Sequence, residues 1–323
     1  MRLYVSSVVS ALLLLLGFPF IMTKVVKSFS ECSQFFFNGQ PPVIPGVLES
    51  SVSKDYVLIC QKYMKEYRFA TLYDTANKIP IFSAYKFTGI KTGRPDVPWK
   101  IERQLEPSGN EMKVPFVSQA SNSEYKGLEK LNRGHLFPNC HAADDHTAAS
   151  TFTLTNVVPQ RISFNSGTWG TMETIVKDFM IKHCRDKDDI NKVLAYVLTG
   201  AVPGNNKLKE RVNIPSHMWT VFCCYHKTKK SFISNAHWAE NKDDNEDPVQ
   251  STSRGKRQGK GKKGKKTIPQ ISLKDLEESL RKTWPNIKLF DGCGEVVTLD
   301  ENLQDKETDQ NNCEEMDKQA AAG

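Results

Sequence analysis

The 323-residue sequence has no Asn-x-Ser/Thr acceptor site, so ordinary N-glycosylation is not expected. None of its eight cysteines is spaced as Cys-x-x-Cys, which argues against a structural zinc site. Collagen-like and coiled-coil repeats are missing. Beyond the N-terminal segment, no apolar run is long enough to cross a bilayer. A general excess of basic charge is missing too. The net charge is 44 − 37 = +7, but Arg254 opens and Lys266 closes a run, RGKRQGKGKKGKK, with eight Lys or Arg and no acid. Without that run the balance is 36 − 37 = −1. A uniformly basic coat for nucleic acid is thereby excluded. The stretch GKGKKGKK nearly spells a phosphate-binding loop, but Lys266 stands where Ser or Thr is required and no strand precedes it.

What is present supports a folded chain. Hydrophobic residues make up 39% and charged residues 25%, enough for a sizeable core. Arg2 precedes an apolar stretch at 5–21 that Gly17 and Pro19 interrupt. Residues 1–25 therefore read as a secretory signal peptide rather than a membrane anchor, which predicts a secreted protein with no transmembrane span after cleavage. The even number of cysteines fits disulfides formed in that pathway. Cys223 and Cys224 are neighbours in a strand-like run, so they should face opposite ways and pair separately, if at all.

The coarse pattern predicts an α+β fold with a mainly antiparallel sheet and flanking helices. Runs at 67–74 and 80–88 read as a hairpin, and 89–130 as loop. Residues 151–158 alternate, placing Phe152, Leu154, Asn156 and Val158 on one strand face. Further strands are expected at 193–199, 217–225 and 231–235. A helix is expected over 168–183, where Trp169, Met172, Val176, Phe179 and Met180 form one stripe. A second is expected over 273–284, with Ser272 as N-cap and Pro285 as stop. One domain, 30–298, carries these elements. A disordered charged insertion at 240–268 interrupts it, and a polar, acidic tail follows at 299–323.

Chemistry-bearing residues concentrate in 131–177. A lone histidine is usually structural, yet His135 follows Arg133 and Gly134, where glycine lets the backbone turn tightly beside a reactive group. Asn156, on an apolar strand face, needs partners and either ties down a loop or orients a neighbour. Asn165 reads as a turn residue or as an oxygen ligand for a hard cation. Glu173 falls at the edge of the apolar stripe, facing outward or toward a charged site. Lys177, one turn on, is an ion-pair partner or a phosphate contact. Cys140, His141, Asp144, Asp145 and His146 are either a second metal cluster or solvated loop groups.

Taken together, Asn132-Arg133-Gly134-His135, Leu154-Thr155-Asn156, Pro159-Gln160, Asn165, Trp169 and Glu173 resemble the DNA/RNA non-specific endonuclease family of ββα-metal nucleases. The family pattern reads Asp-Arg-Gly-His, then Leu-Ser-Asn-x-x-Pro-Gln, then Asn-x-x-x-Trp with a Glu eight residues after that Asn. The Asn156-to-Asn165 spacing of 9 and the Asn165-to-Glu173 spacing of 8 agree. Looser resemblance extends over about 60–295, and Cys32-Ser33-Gln34-Phe35-Phe36-Phe37 with the cysteine-rich interior resembles a branch of the family that bears a secretory signal.

The resemblance implies an α+β fold with a ββα-metal catalytic motif and sequence-independent hydrolysis of DNA and RNA. It casts His135 as general base and Asn165 as ligand of one Mg²⁺, with Mn²⁺ a substitute. Glu173 would orient the metal's waters and Asn156 would hold the geometry. Arg133 would steady phosphate charge, with Arg161 and Lys177 as further phosphate candidates. Position 132 departs from the pattern, being Asn where the family has Asp. That departure and the basic run favour an alternative, a catalytically weak nucleic-acid- or protein-binding scaffold that keeps the fold. The basic run is also expected to meet anionic surfaces.

Overall fold

The computed structural model describes residues 24–48, 55–107, 112–244, 267–294 and 313. Residues 1–23 of the expected signal peptide, 245–266 of the expected insertion with its basic run, and the tail apart from Cys313 lie outside the described residues. Residues 241–244, expected to be disordered with that insertion, are instead hydrogen-bonded into the fold. In chain order the strands are β1 (Lys24–Val26), β2 (Tyr56–Tyr63), β3 (Glu66–Asp74), β4 (Ile79–Phe87), β5 (Leu131–His135), β6 (Val157–Arg161), β7 (Cys184–Arg185), β8 (Ala195–Val202), β9 (Asn206–Leu208), β10 (Val212–Ile214), β11 (His217–His226), β12 (Ser231–Glu240) and β13 (Gln270–Ile271). The main sheet runs β1-β2-β3-β4-β8-β11-β12-β13, with β7 added beside β11, and every pairing is antiparallel. This is the α+β, mainly antiparallel architecture the sequence pattern implies.

Both faces of the sheet are covered, so its strands are apolar on both sides. On β11, Phe222 and Cys224 enter one core, while Trp219, Val221 and Cys223 enter the other. The first core lies beneath the long helix Gly170–His183, whose Met172, Val176, Phe179 and Met180 are buried together with Trp169. The second lies beneath the 3₁₀ segment Phe29–Phe35 and the helix Leu273–Leu280. Ser272 caps that helix through a capping box with Asp275. The helix ends four residues before the expected 284, and its last turns are tied by Thr283 and Trp284 amides bonded to the Leu280 carbonyl.

Disulfides join Cys32–Cys60, Cys140–Cys313, Cys184–Cys224 and Cys223–Cys293. Cys223 and Cys224 do pair separately from opposite faces. The expected strand at 151–158 is different: Leu154–Asn156 is a 3₁₀ turn and the strand begins at Val157. The Asn156 side chain ties this turn to the Phe137 backbone and to the Thr151 carbonyl. Among the described residues, no helix is long and apolar enough to cross a membrane.

Candidate active site

A two-stranded ribbon, separate from the main sheet, carries the first candidates. Strand β5 pairs with β6 so that Asn132 opposes Gln160, Gly134 opposes Val158 and His135 opposes Val157. Gly134 is required sterically. A Cβ there would lie 1.8 Å from Gln160 Oε1, so only glycine lets the Gln160 amide lie across the strand.

Side chains alternate along β5. Arg133 and His135 meet an aromatic wall. The Arg133 guanidinium lies over Trp99 and over Tyr125, each at 5.2 Å, and also donates to Asn122 Oδ1. His135 lies 5.3 Å from the Trp99 ring and 5.1 Å from Phe152. Arg94 covers the Phe152 ring at 4.6 Å. Burial, reinforced by the positive charges of Arg94 and Arg133, lowers the His135 pKa to about 3. His135 is therefore neutral at pH 7.

Asn132 leads to the next element. Asn165 Nδ2 donates to Asn132 Oδ1 at 3.1 Å, and both residues are buried. Asn165 opens a π turn, Asn165–Trp169, that runs directly into the long helix. Within it, Trp169 Nε1 donates to Glu173 Oε1 at 2.8 Å. The Glu173 carboxylate is buried rather than turned outward.

Asn156 lies under the ribbon and is saturated. Its Oδ1 accepts from Ser83 Oγ at 2.8 Å and Phe137 N at 3.0 Å. Its Nδ2 donates to the carbonyls of Phe137 at 3.1 Å and Thr151 at 3.0 Å. Four bonds clamp the segment after His135 to the sheet and leave the Asn156 amide committed to structure. Lys177 is buried, 3.7 Å from Asp178, and Arg161 points toward Asp243 at 4.0 Å. The structure thus sets Arg133 and His135 on one face of β5 and Asn132, with its partner Asn165, on the other, while Asn156 ties Phe137 to the sheet.

The acidic and histidine group at 140–146 disperses. His141 Nε2 donates to the Glu173 carbonyl at 3.0 Å, and its Nδ1 accepts from Tyr85 Oη at 2.9 Å. Burial lowers its pKa to about 3. Asp144 caps the helix Asp145–Ser150, and Asp145 pairs with Lys91. Cys140, His141 and Cys313 bring three potential ligand atoms within 4.8 Å, but both sulfurs are consumed by the Cys140–Cys313 disulfide. Thiolate ligation there is excluded while that bond is intact.

The Asn165 region suits a hard, strongly hydrated cation. Mg²⁺ keeps most of its waters and takes one or two protein oxygens. With Nδ2 committed to Asn132, Asn165 retains an amide oxygen of that kind. Asn132 Nδ2 and both Gln160 amide atoms are buried with no hydrogen-bond partner among the described residues. Of these, only Gln160 Oε1 can face a cation, while the two amide donors call for water or another acceptor.

Sequence reasoning missed Arg94, Trp99 and Tyr125, which build the wall around Arg133 and His135 from a loop without periodicity. It also missed Glu102, fully buried, where Thr153 and Thr155 hydroxyls donate to Oε1 at 3.2 and 3.1 Å. Burial pushes the Glu102 pKa up to about 7. The one available signal was the aromatic and basic content of an otherwise polar segment.

Ribbon, turn and helix, following one another on an antiparallel α+β frame, define a ββα arrangement. The chain belongs to the DNA/RNA non-specific endonuclease family, whose model matches residues 53–278. It is 30% identical over 209 residues to the Homo sapiens endonuclease domain-containing 1 protein, covering 61% of this chain and 39% of that one. The Xenopus laevis mitochondrial nuclease EXOG is 28% identical over 170 residues, covering 47% and 42%. The chain thus spans well under half the length of these curated relatives. A crystal structure of the EndoG/EndoGI complex aligns with TM-score 0.47 and 17% identity, over 83% of this chain and 95% of that one.

Proposed function

We propose that this chain is a metal-dependent endonuclease that hydrolyses phosphodiester bonds of DNA and RNA without sequence preference. The observation that carries the reading is the Asn132–Asn165 hydrogen bond, which ties the turn bearing the ligand candidate to the strand bearing His135. His135 is the general base. Its neighbours hold it neutral, able to accept a proton from the attacking water. A phosphodiester entering beside Arg94 and Arg133 brings the opposite charge and draws the His135 pKa back toward neutral, where a base is most effective. The Arg133 guanidinium, fixed between Trp99 and Tyr125, offers its charge without reorganising. Asn165 is the Mg²⁺ ligand and Glu173 the nearby carboxylate, while Arg161 and Lys177 are outer phosphate candidates. The cation supplies charge stabilisation to the transition state. Contacts confined to phosphate carry no base information, which suits a non-specific enzyme. Four disulfides support a secretory location.

A second reading keeps the fold without efficient catalysis. It is favoured by Asn132, whose buried Nδ2 donor stands where the family pattern has a carboxylate oxygen. Plasmid and RNA digestion with Mg²⁺, Mn²⁺ or EDTA separates the two. The nuclease reading expects cleavage that EDTA abolishes and that His135→Ala lowers about 10²- to 10⁴-fold. Undiminished cleavage by His135→Ala would overturn the mechanism. A wild type inert with every divalent ion would favour the scaffold.

A further inference from the structure

Residues 241–244, which follow β12, run as a strap along the segment leading to the long helix. Asn241 Oδ1 accepts from the Arg161 amide at 2.9 Å, and its Nδ2 donates to the carbonyls of Pro159 and Pro215, both at 3.0 Å. Ser163 Oγ donates to Asp243 Oδ1 at 2.7 Å and accepts from the Asp244 amide at 3.2 Å. The Asp244 carboxylate then closes the strap over the π turn. Its Oδ2 accepts from the Thr168 amide at 2.9 Å, and its Oδ1 accepts from Thr168 Oγ1 at 2.8 Å.

The turn beneath Asp244 departs from helical geometry at one glycine. Gly167 lies at φ −118°, ψ −111°, outside helical values, inside a π turn. A Cβ on Gly167 would sit 2.3 Å from Asp244 Oδ2, so the glycine is what lets the carboxylate come this close. Asn165 belongs to the same five-residue turn. It is held on its other side by Asn132.

We propose that Asp244 is the positioning residue for Asn165: by gripping Thr168 it fixes the π turn that presents the Asn165 amide oxygen to a divalent cation. This rests on the nuclease reading above. Asp244 touches neither reacting atoms nor substrate, so its effect passes through turn geometry. The contrasting role is a plain helix cap. A cap alters stability alone, whereas a positioning residue alters cation affinity in protein that remains folded.

Mn²⁺ binding, followed by the electron paramagnetic resonance of the free ion, distinguishes the two roles when paired with thermal unfolding. Asp244→Ala is expected to weaken Mn²⁺ binding about tenfold, while the variant remains cooperatively folded at the temperature of the titration. Asp244→Asn keeps one acceptor oxygen and should fall between wild type and Asp244→Ala. Thr168→Val removes only the hydroxyl bond and should weaken binding less than Asp244→Ala. It also decides the matter if Asp244→Ala does not fold. Variants that bind Mn²⁺ as tightly as wild type, with only a lowered Tm, would overturn the proposal and leave a cap. A wild type that binds no Mn²⁺ would overturn the nuclease reading itself, and the positioning role with it.

Discussion

Asn132 accepts a hydrogen bond from Asn165 at 3.1 Å, and the other half of its amide, Nδ2, is buried with no partner among the described residues. An aspartate would keep the first contact and replace that donor with a second acceptor. Asn132→Asp is therefore expected to raise divalent-cation affinity, about tenfold for a favourable change of about 1.4 kcal/mol. Asn132→Ala should lower it by leaving Asn165 untied. A Mg²⁺ titration of plasmid cleavage, together with Mn²⁺ binding, reads both. Equal behaviour of the two variants would show that position 132 does not act through Asn165.

Asn156 makes four hydrogen bonds from a fully buried amide, which marks it as a structural clamp. Asn156→Ala strands the Phe137 amide and carbonyl and the Thr151 carbonyl, while the Ser83 hydroxyl keeps Thr71. The expected loss is about 2–4 kcal/mol of unfolding free energy, from several buried groups each left unmatched. Asn156→Asp should be worse, since it turns a carboxylate toward the carbonyls of Phe137 and Thr151. Urea unfolding measures both. A loss below about 0.5 kcal/mol for Asn156→Ala would contradict the clamp.

These residues show what the sequence made legible. The 67–88 hairpin and the Trp169 stripe were readable because each repeats with the period of its element. The separate partners of Cys223 and Cys224 followed from strand alternation alone. Glu173 was visible as a misfit on an apolar stripe, but its bond to Trp169 depends on rotamers. Arg94, Trp99 and Tyr125 were invisible because tertiary packing, not local pattern, brings their loop against β5. Asp244 looked like one more acid in a charged run. Only folding reveals that β12 delivers it to a glycine 77 positions earlier.

Stability should fall as the solution is acidified below about pH 6.5. In the unfolded chain His135, His141 and His237 titrate near 6.5, whereas burial lowers their folded pKa values to about 3, 3 and 4. Between those limits the unfolded state binds more protons, so lowering the pH favours unfolding. Glu102 works the other way. Its folded pKa of about 7 exceeds the ordinary 4.5, so it holds a proton in the folded state through that window. Among these strongly shifted groups, three histidines against one glutamate leave about two protons taken up on unfolding near pH 5.5, and burial lowers His217 and His226 in the same direction. At about 1.4 kcal/mol per proton and pH unit, the slope is roughly 3 kcal/mol per unit. Denaturant melts from pH 5 to 7 test this, and His237→Gln, on β12 rather than β5, should flatten the slope by about one proton. A flat profile would refute the burial of these histidines.

The disulfide map makes a separate claim about the basic run. Cys223–Cys293 and Cys140–Cys313 each join a residue before Arg254 to one after Lys266, while Cys32–Cys60 and Cys184–Cys224 lie wholly before it. A cut within that run therefore cannot release the C-terminal piece while either crossing bond survives. Strand β13 on β12 and the buried Leu276 and Leu280 add a non-covalent hold. Brief trypsin treatment, which cleaves after Lys and Arg, is expected to leave one species of unchanged mass on a non-reducing denaturing gel. The same sample should give two fragments after reduction. Replacing Cys223 and Cys293 by serine should leave the nicked chain joined through Cys140–Cys313, and replacing all four cysteines should separate it without reductant. Two fragments from the nicked wild type without reductant would show that neither crossing bond forms.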